Sequence, residues 1–351
     1  MTSGTRRCLL LLALAVLSLT SLAGSASSST SSYFSGPAGR GVILPPANQR
    51  MLLGVAQTGS DAGVARAVTS LEASSGRKLD IEHLFMQHTC SLRLDRIAAV
   101  ARRGHIPMIS WVPASPSGGA VLLGAADACI GAVGRQIARQ PHRLFLRPFW
   151  EFNGDWFAHS RDVDGSLLTE AEHKGLWRRT VDLLAAAGAF PKTSIVWCPQ
   201  EGHYGNADAF DERRAYPGDR YVDWVCADGY NWNSSESWCG ARGKPHPGWC
   251  EFGEIFHDTP WSGGNVEMDF RGRKPFMVGE TGSTEGLGAQ KGQWFRNARD
   301  SIRRSMPGLR ALVYFDMSYD EDWRIATSPS SRAGFVELAR SRYLRSGASR
   351  P

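Results

Sequence analysis

Two glutamates stand in similar surroundings, each directly after a short apolar segment. Glu151 ends the run Arg-Pro-Phe-Trp-Glu that follows the apolar residues 144–146, and Glu280 follows Met-Val-Gly. A carboxylate at the end of a buried strand is costly to desolvate unless it is paired or takes part in chemistry. Two such groups facing each other could supply the proton and the nucleophile that cleavage of a glycosidic bond requires. The alternative is a structural ion pair, for instance with Arg147.

In the retaining form of this chemistry, the two carboxyl groups lie about 5 to 5.5 Å apart. One carboxylate attacks the anomeric carbon, while the other donates a proton to the leaving oxygen and later activates a water molecule. Burial and the repulsion between two close carboxyl groups would raise the pKa of the proton donor, as its role requires. The fold must therefore bring Glu151 and Glu280 together from distant parts of the chain.

The elements that must do this alternate between short apolar runs and stretches with apolar residues at helical spacing. Eight strands are predicted, at residues 51–56, 82–87, 106–111, 143–149, 194–198, 224–228, 275–279 and 311–315. Predicted helices include residues 93–103, 125–139, 170–187 and 291–305. This alternation indicates a parallel sheet, and eight units in one domain predict a closed (β/α)8 barrel. An open doubly wound sheet would show the same periodicity.

Polar and aromatic residues at the strand ends favour the barrel over the open sheet. They are Gln57, His88, Trp111, Trp150, Glu151, Gln200, Tyr230, Glu280 and Asp316. In a barrel the carboxyl ends of all strands meet at one face, where the active sites of this fold lie, whereas an open sheet would spread them along a line. Residues 231–265 contain four tryptophans and many glycines. They are predicted to form a long cysteine-containing insertion after the sixth strand and one wall of the cleft.

The motif Arg-Pro-Phe-x-Glu-x-Asn-Gly-x-Trp at residues 147–156 resembles the acid/base motif of glycoside hydrolase family 26, best known for β-mannanases. Residues 221–232 are similar to the sixth strand of that family, residues 278–282 to its nucleophile strand, and residues 322–325 to the segment after its eighth strand. The resemblance extends from about residue 54 to residue 338. It implies a single-domain (β/α)8 barrel and a retaining mechanism.

The resemblance also implies roles for individual residues. Glu151 matches the catalytic acid/base, Glu280 the nucleophile, and Tyr230 a tyrosine that hydrogen-bonds the nucleophile. Trp156 matches an aromatic residue that contacts the sugar. Because sugar rings have flat apolar faces, aromatic side chains in the cleft are expected to bind them. The predicted substrate-binding residues are Trp111, Arg147, Trp150, Asn153, Trp156, Tyr230 and Trp232.

These binding residues also have structural alternatives. The tryptophans could pack in the core, Arg147 could form a salt bridge inside the barrel, and Asn153 could cap the next segment. Trp150 departs from the family pattern, because the mannanases typically have His at this position. The departure leaves the catalytic chemistry in place and makes a β-1,4-glucan or mixed-linkage glucan a close alternative to mannan. Gln87 and His88 also depart from the pattern.

The amino-terminal region has the composition of an export signal. Arg6 and Arg7 precede an apolar run at residues 8–19 and then small residues, which predicts a cleaved signal peptide over residues 1–27 and secretion. Residues 28–40 are rich in Ser and Gly and are predicted to be a disordered lead-in. The catalytic domain is predicted to span residues 41–345.

The cysteines fit an exported protein, since six of the seven remain after loss of Cys8. Cys239 and Cys250 flank a Gly/Pro-rich loop and are the predicted disulfide pair. The other four lie in apolar surroundings, and we interpret them as buried thiols. They are Cys90, Cys129, Cys198 and Cys226.

Charge and motif content exclude several other classes of function. The net charge of +6 is scattered along the chain, so no nucleic-acid partner is predicted. The spacing of His83, His88 and His105 fits no metal-ligand pattern. The sequence has no Cys-x-x-Cys pair, no Gly-x-Ser-x-Gly elbow and no Gly-x-Gly-x-x-Gly loop. We therefore predict no metal, no cofactor and, after signal cleavage, no membrane association.

Together these features predict a secreted, monomeric, retaining hydrolase that cleaves β-1,4-mannan or a related β-glucan internally. A transglycosylase would use the same residues and differ only in the access of its acceptor. A non-catalytic carbohydrate-binding protein with the same fold is a further alternative.

Overall fold

The computed structural model describes residues 40–48, 50–201, 210–233, 248–257 and 265–344. The predicted signal peptide and almost all of the lead-in lie outside the described residues. Eight parallel strands form a closed barrel in which each strand pairs with the next and the first pairs with the last. They are β1 (Leu52–Ala56), β2 (Ile81–Met86), β3 (Ile106–Trp111), β4 (Leu144–Pro148), β5 (Thr193–Trp197), β6 (Trp224–Asn231), β7 (Phe276–Ser283) and β8 (Leu309–Phe315). The pairing of β1 with β8 confirms the predicted barrel and excludes the open sheet.

Helices follow the strands and cover the barrel. The described helices are α1 (Asp61–Ser75), α2 (Leu94–Arg102), α3 (Gly118–Leu122), α4 (Asp127–Ala138), α5 (Glu170–Ala186), α6 (Glu212–Ala215), α7 (Phe252–Phe256), α8 (Val266–Phe270), α9 (Gln290–Ser305) and α10 (Pro329–Ala339). The start of α5 shows how the sequence sets a boundary, because Thr169 and Glu172 form a reciprocal capping box. The four predicted helices lie within two residues of α2, α4, α5 and α9. Among the described residues, no helix has the length and apolar character needed to cross a membrane.

Strands β6 and β7 continue farther than their apolar patterns predict. Their pairing carries on through Asp228 with Glu280 and reaches Asn231 with Ser283, after an irregularity between Ala227 and Asp228. Glu280 therefore lies within β7, and the prediction that it follows the end of the strand was wrong. The sequence pattern missed this extension because the added strand residues are polar yet buried. The long predicted insertion follows β6, and its described residues include α7, while α8 begins directly after it.

Two disulfides correct the interpretation of four cysteines as buried thiols. Cys90, in the loop after β2, is bonded to Cys129 in α4. Cys198, directly after β5, is bonded to Cys226 in β6, and their Cα atoms lie 4.3 Å apart. The apolar surroundings of these residues were predicted correctly, but sequence spacing did not reveal which cysteines the barrel places side by side. Cys239 lies outside the described residues, so its pairing with Cys250 stays a prediction.

Candidate active site

The backbone at the end of β4 sets the position of Glu151. Phe149 and Glu151 both have positive φ values, 49° and 52°, which residues other than glycine rarely adopt. The neighbouring strands hold this conformation. The Phe149 N–H donates to the Trp111 carbonyl at 3.3 Å, and the Glu151 N–H donates to the Cys198 carbonyl at 2.8 Å. The acidic side chain is thus attached to backbone that is fixed from both sides.

Three carboxyl groups meet at this end of the barrel. Oxygen atoms of Glu151, Asp228 and Glu280 all lie within 4.8 Å of one another, and all three residues are buried. The structure therefore brings the two predicted catalytic glutamates together, as the chemistry of a carboxyl pair requires. It adds Asp228 on β6, which was not among the predicted site residues.

Arg147 is fully buried beside these carboxyl groups. Among the described residues, it is the only cation that forms an ion pair with them. Its Nη1 donates to Asp228 Oδ2 at 2.5 Å and its Nη2 donates to Glu280 Oε1. Its Nε donates to Ser110 Oγ at 2.7 Å. These three partners all lie inside the barrel, so the guanidinium links β4 to β3, β6 and β7.

Gly279 makes room for this ion-pair network. A Cβ atom at residue 279 would lie 2.3 Å from Cys226 Sγ, 2.9 Å from Asp228 Oδ1 and 3.0 Å from Arg147 Nη1. Contacts below 3.0 Å force the surrounding atoms to move, and all of these atoms are packed in the barrel interior. The glycine before Glu280 is therefore required by the close approach of Arg147 and Asp228.

The surroundings of Glu280 stabilise its ionised form. Arg147 donates to one carboxylate oxygen, and the hydroxyl group of Tyr230 donates to the other at 2.6 Å. Hydrogen bonds to an ionised carboxylate are among the stronger ones in proteins. Burial and the nearby charge of Glu280 raise the pKa of Tyr230 well above its usual value, so the phenol keeps its proton and acts as a donor.

The surroundings of Glu151 favour its protonated form. Burial, and next the negative charge of Glu280, raise the pKa of Glu151 to about 8. The indole N–H of Trp156 donates to Glu151 Oε2 at 2.9 Å and opposes this rise in pKa only in part. Burial and the charge of Glu280 thus favour a proton on Glu151. Glu280 instead receives hydrogen bonds from Arg147 and Tyr230, and such different environments are what separates an acid from a nucleophile.

Aromatic rings form an arc around the mouth of the barrel. Neighbouring rings in this arc have centroids 4.9 to 6.1 Å apart. The arc consists of Trp150, Phe85, Phe315, Tyr230, Trp323 and Trp232. Trp156 stands beside it with 47% of its surface exposed. Partly exposed rings next to acidic groups give a cleft both stacking surfaces and hydrogen-bonding groups, as sugar recognition needs.

Three predicted substrate-binding residues have almost no surface for a ligand. Trp111 is fully buried and donates its indole N–H to the Thr89 carbonyl, and Arg147 is held by the carboxylates. Trp150 is 2% exposed, and its ring lies 5.5 Å from the Arg147 guanidinium carbon. Direct contact of these three residues with a sugar does not fit their burial. For Arg147 the structural alternative, a salt bridge inside the barrel, is what the structure shows.

The side chain of Asn153 also forms its hydrogen bonds within the protein. Its Nδ2 donates to the Gln200 carbonyl at 2.8 Å and to Glu212 Oε1 at 2.7 Å, while its Oδ1 accepts from the Gln200 N–H at 2.8 Å. It is neither a helix cap nor a free contact for a sugar hydroxyl. Instead it joins the segment after β4 to the segment after β5. Among the predicted binding residues, Trp156, Tyr230 and Trp232 keep side-chain surface at the cleft.

Glycine at residue 154 explains part of the motif around the acid/base. A Cβ atom there would lie 2.2 Å from the Trp156 ring, so the ring can fold over the backbone only if residue 154 has no side chain. Gly154 and Trp156 occur together in the motif because the ring packs on the glycine, and this packing brings the indole N–H to Glu151.

Sequence reasoning missed two residues that contact the glutamates. Asp228 pairs with Arg147, and its pKa is raised well above its usual value because it is buried and has carboxyl neighbours. Gln200 lies next to Glu151. Both stand at the predicted strand ends, and a polar residue that ends an apolar strand was the signal that could have found them.

The three clustered carboxyl groups have a spacing that could hold a cation. Arg147 already donates to both Asp228 and Glu280, so the guanidinium supplies the positive charge that a metal would bring. The donor set therefore fits an ion pair with arginine better than a metal centre.

The closed barrel and the buried carboxyl pair at its mouth define the class of fold, a (β/α)8 barrel whose candidate active site lies at the carboxyl ends of the strands. The model of glycosyl hydrolase family 26 matches residues 117–240, which confirms the predicted resemblance to this family. It is 31% identical over 275 residues to Endoglucanase H of Acetivibrio thermocellus, in an alignment that covers 77% of this chain. The chain spans about 28% of the length of that curated relative.

Solved structures show the same fold. A family 26 endo-β-1,4-mannanase from Bacillus sp. JAMB-750 superposes with a TM-score of 0.61 at 16% identity, covering 85% of this chain and 89% of that one. A modular endo-β-1,4-mannanase from Cellulomonas fimi superposes with a TM-score of 0.59, also at 16% identity, covering 87% of this chain and 72% of that one. At such low identity the similarity concerns the barrel.

Proposed function

We propose that this protein hydrolyses internal β-linkages of a polysaccharide with retention of the anomeric configuration. The observation that carries the proposal is the approach of the Glu151 and Glu280 carboxyl groups to within 4.8 Å. Retaining enzymes hold their two carboxyl groups about 5 to 5.5 Å apart, whereas inverting enzymes need about 6.5 to 9.5 Å to fit a water molecule between the acid and the sugar. The short separation favours retention.

Glu280 is the proposed nucleophile. Its carboxylate attacks the anomeric carbon, the bond from that carbon to the glycosidic oxygen breaks, and Glu151 transfers its proton to the departing oxygen. Glu151, now ionised, takes a proton from water, and the resulting hydroxide displaces Glu280 from the sugar. After the first step neither carboxyl group carries a proton. After the second, Glu151 is protonated and Glu280 is ionised again, so the enzyme returns to its starting state without a cofactor.

Arg147 and Tyr230 are proposed to hold Glu280 in its attacking form. Both donate to its carboxylate oxygens, which fixes the rotation of the group. When Glu280 forms a bond to the sugar, one oxygen loses its negative charge, and the donor on that oxygen weakens its interaction. The same two donors help Glu280 to leave in the second step, because they stabilise the returning carboxylate.

A β-linked glucan is the proposed substrate, with β-1,4-mannan as the second candidate. The sequence relative with 31% identity is an endoglucanase, and Trp150 stands where the mannanases typically have His. The two solved structures compared above are endo-β-1,4-mannanases, which supports the second candidate. Purified protein should be incubated with β-1,4-glucan, mixed-linkage β-1,3-1,4-glucan, β-1,4-mannan and xylan, and its products sized. Release of short oligosaccharides from mannan alone would reverse our preference.

Stereochemistry gives the sharpest test of the mechanism. Proton NMR of the first products of β-glucan cleavage should show the β-anomer before mutarotation, and an initial α-anomer would contradict the proposal. Glu280→Ala should lose hydrolysis yet still bind the polysaccharide, and added azide should yield an α-glycosyl azide. Glu151→Ala with azide should instead yield the β-glycosyl azide from a substrate with a good leaving group. Identical azide products from both variants would show that the roles are assigned wrongly.

Product analysis also separates hydrolysis from the two alternatives. A transglycosylase would transfer the glycosyl group to an added oligosaccharide acceptor in preference to water. A non-catalytic binding protein would retain the polysaccharide, and Glu280→Ala would leave its behaviour unchanged.

We propose further that the protein is secreted as a monomer after removal of residues 1–27. Two disulfides among the described residues support an oxidising destination, because such bonds persist mainly outside the reducing cytosol. Amino-terminal sequencing of protein from the culture medium tests the cleavage, and light scattering tests the oligomeric state.

A further inference from the structure

The segment directly after β5 contacts both Glu151 and Asp228. The Cys198 carbonyl accepts from the Glu151 N–H at 2.8 Å, and the Pro199 carbonyl accepts from the Asp228 N–H at 3.1 Å. Gln200 forms a parallel bridge with Asp228. The backbone of this segment is therefore bonded to the acid/base on one side and to β6 on the other.

The orientation of the Gln200 amide follows from its two neighbours. One atom of the amide lies 3.1 Å from the Asp228 carbonyl oxygen and 2.8 Å from Glu151 Oε1. A carbonyl oxygen can only accept a hydrogen bond, so the amide atom that faces it must be the nitrogen. Gln200 therefore donates one N–H to the Asp228 carbonyl and the other to Glu151.

The side chain of Gln200 has little freedom to turn away. The residue is 9% exposed. The side chain of Asn153 hydrogen-bonds both the backbone N–H and the backbone carbonyl of Gln200, each at 2.8 Å. Because both amide hydrogens have partners inside the protein, a rotation of the amide would leave two buried polar groups without hydrogen bonds, which is unfavourable. The donor is thus held in place before any substrate arrives.

Both oxygens of Glu151 consequently receive an N–H group. Trp156 donates to Oε2 and Gln200 to Oε1, from the segments after β4 and β5. An acidic proton on Glu151 cannot point at either donor, so it must use the remaining lone-pair direction. Two fixed donors therefore restrict the rotation of the carboxyl group and the direction in which it can give up its proton.

We propose that Gln200 is a positioning residue for proton transfer, which aims the Glu151 carboxyl group at the glycosidic oxygen. The inference rests on the proposed role of Glu151 as acid/base and adds a residue to it. Loss of the donor should harm reactions in proportion to their need for a proton. It should matter little when the leaving group departs as a stable anion without protonation.

The kinetic test compares two substrates in the variant Gln200→Leu, which keeps the side-chain size and removes the donor. We expect kcat/KM on mixed-linkage β-glucan to fall about 10-fold or more, and kcat/KM on 2,4-dinitrophenyl β-cellobioside to change by less than about 3-fold. The alkaline limb of the glucan pH profile should move up by roughly 0.5 to 1 pH unit, because a donor to the ionised carboxylate is lost. Equal losses on both substrates with an unmoved limb would show a purely structural role and overturn the proposal.

Gln293→Leu is the matched control, since it removes an exposed amide on α9 far from the carboxyl groups. It should leave both substrates and the pH profile unchanged.

A second measurement does not depend on catalysis. In protein labelled with ¹³C at the glutamate carboxyl, the Glu151 signal is the one lost in Glu151→Gln. Its titration should move to higher pH in Gln200→Leu and stay in place in Gln293→Leu. If wild-type protein cleaves neither substrate, the proposed function fails, yet this titration still decides whether Gln200 acts on Glu151. An unmoved titration would refute the proposal.

Discussion

The barrel contains two buried charged networks, at opposite ends of its strands. We call Arg147, Glu151, Asp228, Tyr230 and Glu280 the mouth network, since they gather at the carboxyl ends of β4, β6 and β7. The base network lies at the amino ends of β2 and β3 and consists of Glu72, Glu82, Arg103 and His105. Both networks are built from carboxylates and cations, and only the mouth network faces the cleft.

The two networks differ in their balance of charge. The mouth network sets three carboxyl groups against the single guanidinium of Arg147, and burial with the neighbouring carboxylates raises the pKa of Glu151 and Asp228. In the base network, burial would raise the pKa of Glu82, but hydrogen bonds from His105 and Arg103 lower it. A carboxylate such as Glu82, whose pKa is lowered by its hydrogen-bond donors, is stabilised in its ionised form and supports the fold. The mouth network, with its excess of carboxyl groups, must keep a proton, which is what an acid catalyst needs.

The largest expected effect comes from removing charge at the mouth. Glu280→Gln should reduce kcat on β-glucan by about 10⁴-fold or more, because no nucleophile remains. The free energy of unfolding should stay the same or rise, since the substitution removes repulsion while Arg147 keeps Asp228 as its partner. Steady-state kinetics and urea unfolding on one preparation measure both quantities. A loss of stability together with activity would contradict the contrast between the networks.

The base network should show the opposite behaviour. Glu82→Ala removes the buried carboxylate that the buried His105 and the half-buried Arg103 share, which should lower the free energy of unfolding by about 3 to 5 kcal/mol. The kcat value should remain within about twofold of wild type. Urea unfolding and glucan kinetics check the pair of outcomes, and an activity loss as large as the loss for Glu280→Gln would refute our assignment of a structural role.

The pH dependence of the base network follows from the same pKa shift. The folded-state pKa of Glu82 is lowered, so its contribution to stability is present above the unfolded value of 4.5 and is lost as the pH falls through the folded pKa. The difference in stability between wild type and Glu82→Ala should therefore shrink below pH 4.5.

The two disulfides offer a third and smaller contrast. Their sequence separations of 28 and 39 residues predict similar stabilisation, about 3.5 to 4 kcal/mol each from loop entropy. Only the Cys198–Cys226 disulfide lies against the mouth network, with Cys198 Sγ 3.5 Å from Arg147 Nη1 and 3.3 Å from Asp228 Oδ1. Replacing Cys198 and Cys226 by Ser should lower stability and also reduce kcat about fivefold or more. The same change at Cys90 and Cys129 should lower stability but leave kcat unchanged. Thermal unfolding and steady-state kinetics measure both quantities, and an equal loss of kcat in the two variants would contradict this contrast.

The sequence predicted the fold well because its signals are local. Each strand from β1 to β8 has an apolar run with polar or aromatic residues at its end. The family resemblance then identified Glu151 and Glu280 as the candidate catalytic pair. The roles of Arg147 and Asn153 could not be predicted from the sequence alone. A single polar residue can bind a ligand or a neighbouring strand, and only the packed barrel shows that Arg147 faces Asp228 and Glu280. Long-range partners such as Cys198 and Cys226 depend in the same way on strand register, which local patterns do not contain.

The smallest expected effect concerns the proton that the mouth network holds. Burial and the charge of Glu280 raise the pKa of Glu151 from 4.5 to about 8, so between these values the folded protein binds a proton that the unfolded chain releases. Stability should therefore fall as the pH rises from 5 to 8, which is opposite to the contribution of a carboxylate with a lowered pKa. Glu151→Gln removes this dependence, so it should gain stability over wild type as the pH rises toward 8, with the difference vanishing toward pH 4. Urea unfolding of both proteins at several pH values measures the two slopes. Parallel slopes would mean that Glu151 is ionised throughout, and that the excess charge of the mouth network is balanced by a proton on another carboxyl group such as Asp228.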